Sequence, residues 1–160
     1  MPQPTANQES EAPGPTLVSE EERAYITLLR TAYQLDRDFA HFLKPHELSP
    51  TQYNALRILR GAGAEGLPCK QVADRMLNQD SDITRLMDRL EKRGLVARER
   101  GEKDRRVLYA QITPKGLAVL KTLDRPVTDY VRSRMKALEN RLEDFQRMLE
   151  EIQQGPPTMK

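Results

Sequence analysis

The sequence is poor in cysteine, glycine and aromatic residues, and it has no long apolar run. Its single cysteine, Cys69, cannot form an internal disulfide, which fits a reducing cytoplasm. Eight glycines and an aromatic content of 5% argue against a β-sandwich or a β-barrel. No stretch approaches about 18 consecutive apolar residues, so we expect neither a transmembrane helix nor a membrane partner.

What the sequence does contain favours one domain built from solvent-facing helices. Its 160 residues are enough for a single domain with a real core. Hydrophobic residues make up 38% of the chain and charged residues 31%. This low apolar share and high charged share favour long helices over a sheet that is covered on both faces.

The net charge of +2 is unevenly placed along the chain. Residues 1–22 contain five glutamates and no lysine or arginine, which leaves +7 on residues 23–160. Residues 82–106 alone hold nine basic side chains against six acidic ones. A basic body behind an acidic segment fits a polyanion partner, but it also fits a surface that only aids solubility. The placement of the basic residues has to decide between these interpretations.

The N-terminal part of the chain predicts a tail followed by a dimerisation helix. Residues 1–18, rich in proline, predict a disordered tail, and residues 154–160 predict a short C-terminal one. Ser19 and Glu22 form a capping-box sequence that begins the helix expected within residues 19–47. Its apolar residues recur at steps of three and four and are Tyr25, Leu28, Ala32, Leu35, Phe39 and Phe42.

Residues 113–153 predict the C-terminal dimerisation helices. Thr113 and Pro114 start the first of them, and Pro126 marks a break before a last helix at about 127–153. A second set of apolar residues at heptad spacing comprises Val131, Met135, Leu138, Leu142, Phe145, Leu149 and Ile152. The terminal helices of one chain can pack on each other, but that arrangement covers the apolar positions poorly. We therefore expect a homodimer in which the terminal helices of two chains interdigitate.

Residues 48–112 predict three helices followed by a β-hairpin. The expected elements are a helix from Pro50, helices at about 68–77 and 82–93, and strands at 95–100 and 106–112. A turn that ends in Ser81 is expected to cap the third helix, and Gly94 to stop it. The predicted fold is mainly α with a small β-hairpin wing. It is a winged helix-turn-helix domain flanked by N- and C-terminal dimerisation helices.

The helix at 82–93 has an apolar face and a polar one. Its apolar residues, at the spacing of one helix side, are Ile83, Leu86, Met87 and Leu90. Such a helix fits the major groove of DNA, where arginine can make two hydrogen bonds to guanine. The hairpin tip adds Lys103, Arg105 and Arg106, which can reach phosphates or the minor groove. The alternative is a charged amphipathic helix beside a surface hairpin, in a module that only contacts other proteins.

Four stretches, in this order and spacing, carry a family resemblance. They are Leu-Ser-Pro-Thr-Gln-Tyr at 48–53, the run at 83–96, Asp-Arg-Arg at 104–106 and Ile-Thr-Pro-Lys-Gly at 112–116. Together they resemble the MarR (multiple antibiotic resistance regulator) family of transcription factors. The resemblance implies a homodimer that binds a palindromic operator in double-stranded DNA, with the helix at 82–93 in the major groove.

The resemblance also implies roles for individual residues. The recognition-helix contacts are Ser81, Asp82, Thr84, Arg85 and Arg89. The wing contacts are Lys103, Asp104, Arg105 and Arg106, with Arg106 in the minor groove and Asp104 bracing the tip. Ser49 and Thr51 begin a helix whose backbone N–H groups are expected to hold a phosphate.

Many members of the family are repressors released by small aromatic ligands, which bind between the dimerisation helices and the winged domain. The candidates for that site are Tyr33, His41, Phe42 and Tyr53, although each alone also fits an ordinary core position. Other members sense oxidants through a cysteine in the first helix, which this chain lacks. Cys69, at a helix start, has either a lowered thiol pKa or the role of a small apolar filler.

No pattern in the sequence predicts catalysis. His41 and His46 are five residues apart, which suits no single helix face, and no phosphate-binding loop or nucleophile motif is present. We therefore expect no enzyme activity, no cofactor and no metal site. The expected function is that of a cytoplasmic, homodimeric DNA-binding repressor with a small-molecule effector, and the alternative is a winged-helix module for protein contact.

Overall fold

The computed structural model describes residues 19–77, 82–101 and 104–155, which form two compact units divided after Pro50. The helices are α1 (Glu20–Leu43), α2 (Pro50–Ala62), α3 (Cys69–Arg75), α4 (Ile83–Lys92), α5 (Pro114–Met135) and α6 (Leu142–Gln154). The strands are β1 (Leu67–Pro68), β2 (Val96–Arg100) and β3 (Leu108–Ile112). Within these ranges no helix combines the length and the apolar character that a membrane span requires.

The first unit is built on α1, whose start follows the predicted capping box. The Ser19 hydroxyl accepts the Glu22 backbone N–H at 3.1 Å, and the Glu22 carboxylate accepts the Ser19 N–H at 2.9 Å. Three glutamates in the first turn also suit the positive end of the helix dipole. The helix ends at Leu43, and a 3-10 turn at Lys44–His46 contains Pro45, which cannot continue it.

The second unit has its core under α4 and the sheet. The predicted apolar face of α4 is confirmed, because Leu86, Met87 and Leu90 are buried. The other fully buried large side chains of this unit are Leu56, Leu59, Val72, Leu95, Val96, Leu120 and Leu123. They come from α2, α3, β2, α5 and the turn before β2, so a single apolar cluster fixes α4 against its neighbours.

The wing is a three-stranded antiparallel sheet, one strand more than the predicted hairpin. Its strand order is β1-β3-β2, and β1 pairs Leu67 with Ala110 and Pro68 with Tyr109. Strand β1 could not be predicted, because a two-residue strand that contains proline has neither an alternating pattern nor a β-branched residue. β2 and β3 pair along their whole length, from Val96 with Ile112 to Arg100 with Leu108.

The C-terminal helices divide at a different place from the one predicted. The expected break at Pro126 is wrong, because α5 runs through this residue to Met135. Pro126 and Thr122 are both exposed, so water can satisfy the Thr122 carbonyl that loses its usual N–H partner. The real break is the 3-10 turn at Lys136–Leu138, which is followed by Asn140, a weak helix former.

The start of α5 is fixed to the turn that ends α4. Gly94 has a left-handed backbone with φ of 69°, as predicted for a helix stop. Thr113 caps α5 by accepting the Gly116 N–H at 3.1 Å, and its hydroxyl donates to the Gly94 carbonyl at 2.7 Å. A Cβ atom on Gly116 would collide with the Leu95 carbonyl oxygen and lie 2.8 Å from Ile112 Cγ1. This close approach requires glycine.

Substitution of Gly116 tests that packing. We expect Gly116→Ala to lower the free energy of unfolding by about 1–3 kcal/mol, because the added methyl group meets backbone atoms that cannot move aside. The matched control is Gly61→Ala in α2, where an added Cβ meets nothing within 4 Å. That change should raise stability by roughly 0.5–1 kcal/mol. Urea titration at one protein concentration measures both, and equal effects of the two substitutions would contradict this account.

Candidate nucleic-acid interface

The N-terminus of α4 is capped by Asp82 rather than by Ser81, the expected cap. The Asp82 Oδ1 atom accepts the Arg85 backbone N–H at 3.1 Å. An aspartate is an equally good cap by sequence, so the prediction was misplaced by one residue. Ser81 lies outside the described residues. Asp82 is a structural residue of the site, because its carboxylate caps α4.

Three of the predicted recognition residues lie on the exposed side of α4. They are Thr84, Arg85 and Arg89. The Arg85 side chain is 78% exposed, and its Nε atom lies 3.2 Å from Asp82 Oδ2. An ion pair between two exposed groups contributes little to stability, so Arg85 can exchange this partner for another anion at low cost.

The tip of the wing is closed by hydrogen bonds around Asp104. The Asp104 Oδ1 atom accepts the Arg106 backbone N–H at 2.9 Å, and the Asp104 carbonyl accepts the Val107 N–H at 3.1 Å. The Arg100 guanidinium donates to the Arg105 carbonyl at 2.9 Å. The side chains of Arg105 and Arg106 are left exposed, and Lys103 lies outside the described residues. The structure therefore contains the brace that the resemblance implied.

The role of Arg98 cannot be recognised from the sequence, where it is only one more basic residue. Its Nη2 atom, on β2, lies 2.6 Å from Asp88 Oδ1 and 2.5 Å from Glu91 Oε2, both on α4. Its Nε atom donates to Glu91 Oε2 at 3.0 Å, and its side chain is only 15% exposed. These hydrogen bonds, chiefly those donated to Glu91, raise the pKa of the Arg98 guanidinium further. Arg98 is thus a permanently charged link between α4 and the wing.

The residues proposed to hold a phosphate lie at the start of α2. Ser49 is exposed and Thr51 is half-buried. Within the first unit, Ser49 also lines an open cavity of about 410 Å³ together with Arg37, His41, Lys44 and Glu47. Their contact with phosphate stays a prediction.

The four candidate effector residues differ widely in exposure. In the first unit, Tyr33 is 76% exposed, His41 is exposed, and Phe42 is half-buried with its ring stacked on Phe39 at 6.0 Å. In the second unit, Tyr53 is buried, and the Arg57 guanidinium lies 5.9 Å from the centre of its ring. Of the four, His41 lines the cavity in the first unit.

Cys69 begins α3 and is half-buried. Burial raises the pKa of its thiol above the usual value, although the nearby Arg98 charge acts in the opposite direction. This contradicts the alternative of a lowered pKa and favours an apolar filler at this position. In the described ranges, no three His, Cys, Asp or Glu side chains are grouped as a metal site requires.

Comparison with known proteins agrees with this geometry. The profile of the MarR family matches residues 48–108. The regulator MhqR of Bacillus subtilis is 33% identical over 98 residues, which cover 61% of this chain and 66% of MhqR. The chain thus spans about two thirds or less of the curated relatives it matches.

Solved structures give the same result over more of the chain. A MarR transcription factor from Planctomyces limnophilus is 38% identical, with a TM-score of 0.66, and the match covers 82% of this chain and 96% of that one. A mutant E. coli MarR, solved with operator DNA, shares the fold at 20% identity and a TM-score of 0.74, with coverages of 86% and 99%.

The helix-turn-helix, the braced wing and the flanking helices define a winged-helix protein of the type found in transcriptional regulators. The chain belongs to the MarR family of transcriptional regulators. These relatives are regulators and not enzymes.

Proposed function

We propose that this protein binds a palindromic operator in double-stranded DNA as a homodimer and regulates transcription from it. The observation that carries the proposal is the pair of exposed basic elements on one compact unit, α4 and the Asp104-braced wing. An α-helix fits the major groove, and a basic hairpin tip fits the adjacent minor groove. Membership of the MarR family supports the same assignment.

We assign each of these residues a contact with DNA. Arg89, and Arg85 after it leaves Asp82, each donate two hydrogen bonds to a guanine. Thr84 is available for a base edge or a phosphate. Arg106 is assigned to the minor groove, and the backbone at Ser49 and Thr51 to a phosphate.

The alternative, a winged helix that only contacts other proteins, does not require this arrangement. Such a module needs the same core and sheet, but it has no use for exposed arginines at both α4 and the wing tip. The two functions differ in their response to salt. DNA binding releases counterions, so its affinity falls steeply as salt rises.

Two arginine substitutions test the DNA contacts. With a duplex selected from a random pool, we expect Arg89→Ala to lower the binding free energy by about 1–3 kcal/mol per subunit and to relax the sequence preference at one position in each half-site. Arg106→Ala should weaken binding more uniformly and lower the slope of log affinity against log salt by about 1 per subunit, or about 2 for the dimer. Asp104→Ala should act in the same direction as Arg106→Ala, because it loosens the tip that holds Arg106.

The matched control is Arg125→Ala on α5, where the side chain is 93% exposed and its Nε atom lies 3.7 Å from Asp129 Oδ2. It removes one positive charge but no proposed contact. Gel-shift titrations at several salt concentrations compare the four variants. If Arg89→Ala and Arg106→Ala bind as the Arg125→Ala control does, the assigned contacts are wrong.

We further propose that the second subunit covers apolar side chains that one chain leaves exposed. In the first unit, α1 exposes Tyr25, Ile26, Leu29 and Tyr33. In the second unit, α6 exposes Leu142, Met148 and Ile152. Large apolar side chains in such rows are typical of subunit interfaces. A two-fold dimer would present two copies of α4 to a palindrome.

Charged substitutions on α6 test the dimer. Met148→Asp combined with Ile152→Asp should shift the protein from dimer to monomer at micromolar concentration, because each carboxylate would be buried without a partner. Arg147→Asp changes the charge by the same amount on the opposite, exposed side of the same helix. Sedimentation velocity measures both, and a Met148/Ile152 variant that remains dimeric would exclude α6 from the interface.

We also propose that the regulator is a repressor released by a small aromatic ligand. The support is the cavity of about 410 Å³ in the first unit, which is large enough for such a ligand and has Arg37, His41 and Lys44 on its wall. These basic side chains favour an aromatic acid over a neutral ring.

Benzoate and phenol distinguish these two ligand types. Benzoate should lower the affinity for the selected duplex and raise the melting temperature, while phenol should have less effect. Arg37→Ala should remove the difference between them. If neither compound changes DNA binding at millimolar concentration, the effector proposal has lost its support.

A further inference from the structure

Two acidic side chains occupy the helix that the proposed function brings to DNA. Asp88 and Glu91 lie on α4 among the basic residues Arg85, Arg89 and Lys92. Their side chains are 44% and 39% exposed. Carboxylates at such positions repel phosphates, and they lower the affinity of a DNA-binding surface unless something neutralises them.

Arg98 contacts both of them from the neighbouring strand. Its guanidinium is directed at the carboxylates and is largely covered, so its hydrogen bonds are made within the protein. Its backbone N–H also donates to Glu91 Oε1 at 3.2 Å. The Glu91 carboxylate therefore receives hydrogen bonds from both the side chain and the backbone of one residue, which turns it toward β2.

We propose that Arg98 is a positioning residue for DNA binding, which offsets one of the two negative charges of Asp88 and Glu91 and holds both carboxylates toward β2 without touching DNA itself. This inference rests on the proposed function. With both carboxylates held, Arg89 and Lys92 determine the potential that the exposed side of α4 presents. The planar fork of an arginine can reach two carboxylates at once, which the single ammonium group of a lysine does less well.

A double-mutant cycle separates this role from a simple sum of charges. The first change is Arg98→Met, which keeps the length of the side chain and removes its charge. The second is the pair Asp88→Asn and Glu91→Gln. The probe is a mixed-sequence DNA duplex of about 30 base pairs, long enough for two half-sites one helical turn apart. Affinities of the full-length protein are measured at low and high salt.

The cycle has a defined expected result. Arg98→Met alone should weaken binding about ten-fold at low salt and less at high salt, since the released carboxylates act through screened charge. Adding Asp88→Asn and Glu91→Gln to Arg98→Met should restore most of that affinity. The same pair introduced beside an intact Arg98 should change affinity by no more than about three-fold, because Arg98 already holds those carboxylates toward β2.

Three results overturn the inference. One is unchanged affinity in Arg98→Met. Another is an equal gain from the Asn/Gln pair with and without Arg98, which would mean independent charges. A loss that is the same at all salt concentrations and is not restored by the pair assigns Arg98 a structural role only, and this also contradicts the proposal. If the wild-type protein does not bind the duplex at low salt, the proposed function fails instead.

Two further variants serve as a control for the cycle and as a replacement for Arg98→Met. Arg60→Met breaks the ion pair that joins α2 to α5, with Arg60 Nη1 at 2.7 Å from Asp124 Oδ1, and it should leave DNA affinity unchanged. If Arg98→Met does not fold by circular dichroism, the cycle is run with Arg98→Lys. The same non-additivity is expected there at smaller size, and additive effects overturn the inference in that cycle as well.

Discussion

Arg98 of β2 is held by two carboxylates of α4, and this contact fixes the wing against the helix beside it. Val96 on the same strand and Leu90 on the same helix are both buried in the core of this unit. The Gly94 turn and the Thr113 cap close the other end of this arrangement. The two elements proposed to enter adjacent grooves of DNA thus belong to one packed unit, so little ordering of one against the other remains when DNA binds.

The same contact shows that net charge does not measure how many cations are available to DNA. The net charge of +2 combines an acidic N-terminal segment with a basic remainder. In the structure, some basic residues form ion pairs within the protein. Arg98 pairs with Asp88 and Glu91, and Arg60 pairs with Asp124. The cations that remain exposed on α4 and the wing include Arg89, Arg105 and Arg106. Affinity for DNA then depends on where a few arginines project, and total charge is a poor guide to it.

Local signals in the sequence predicted much of this fold. The capping box at Ser19 and Glu22, the apolar face of α4 and the stop at Gly94 each depend on residues within one or two helix turns, and each is confirmed. The predictions are wrong where an element depends on a partner that is distant in sequence, or where a proline lies within an otherwise helical segment. Strand β1 exists only because β3 pairs with it, and Pro126 is tolerated in α5 because that part of the helix is exposed.

The candidate site likewise contains some residues that could be recognised from the sequence and one that could not. Arg85, Arg89 and Arg106 were recognisable from helix periodicity and from the family motif. Arg98 was not, because its charge is indistinguishable in sequence from the others and only the β2–α4 packing shows that two carboxylates enclose it.

The proposed function requires that two copies of α4 read one palindromic DNA site. The decisive experiment is the selection of bound duplexes from a random-sequence pool by the full-length protein at moderate salt. We expect an enriched inverted repeat whose half-sites lie about 10 base pairs apart, centre to centre, with flanking minor grooves protected from cleavage. Recovery of duplexes with no common sequence, at a salt concentration where the protein still binds, would contradict it.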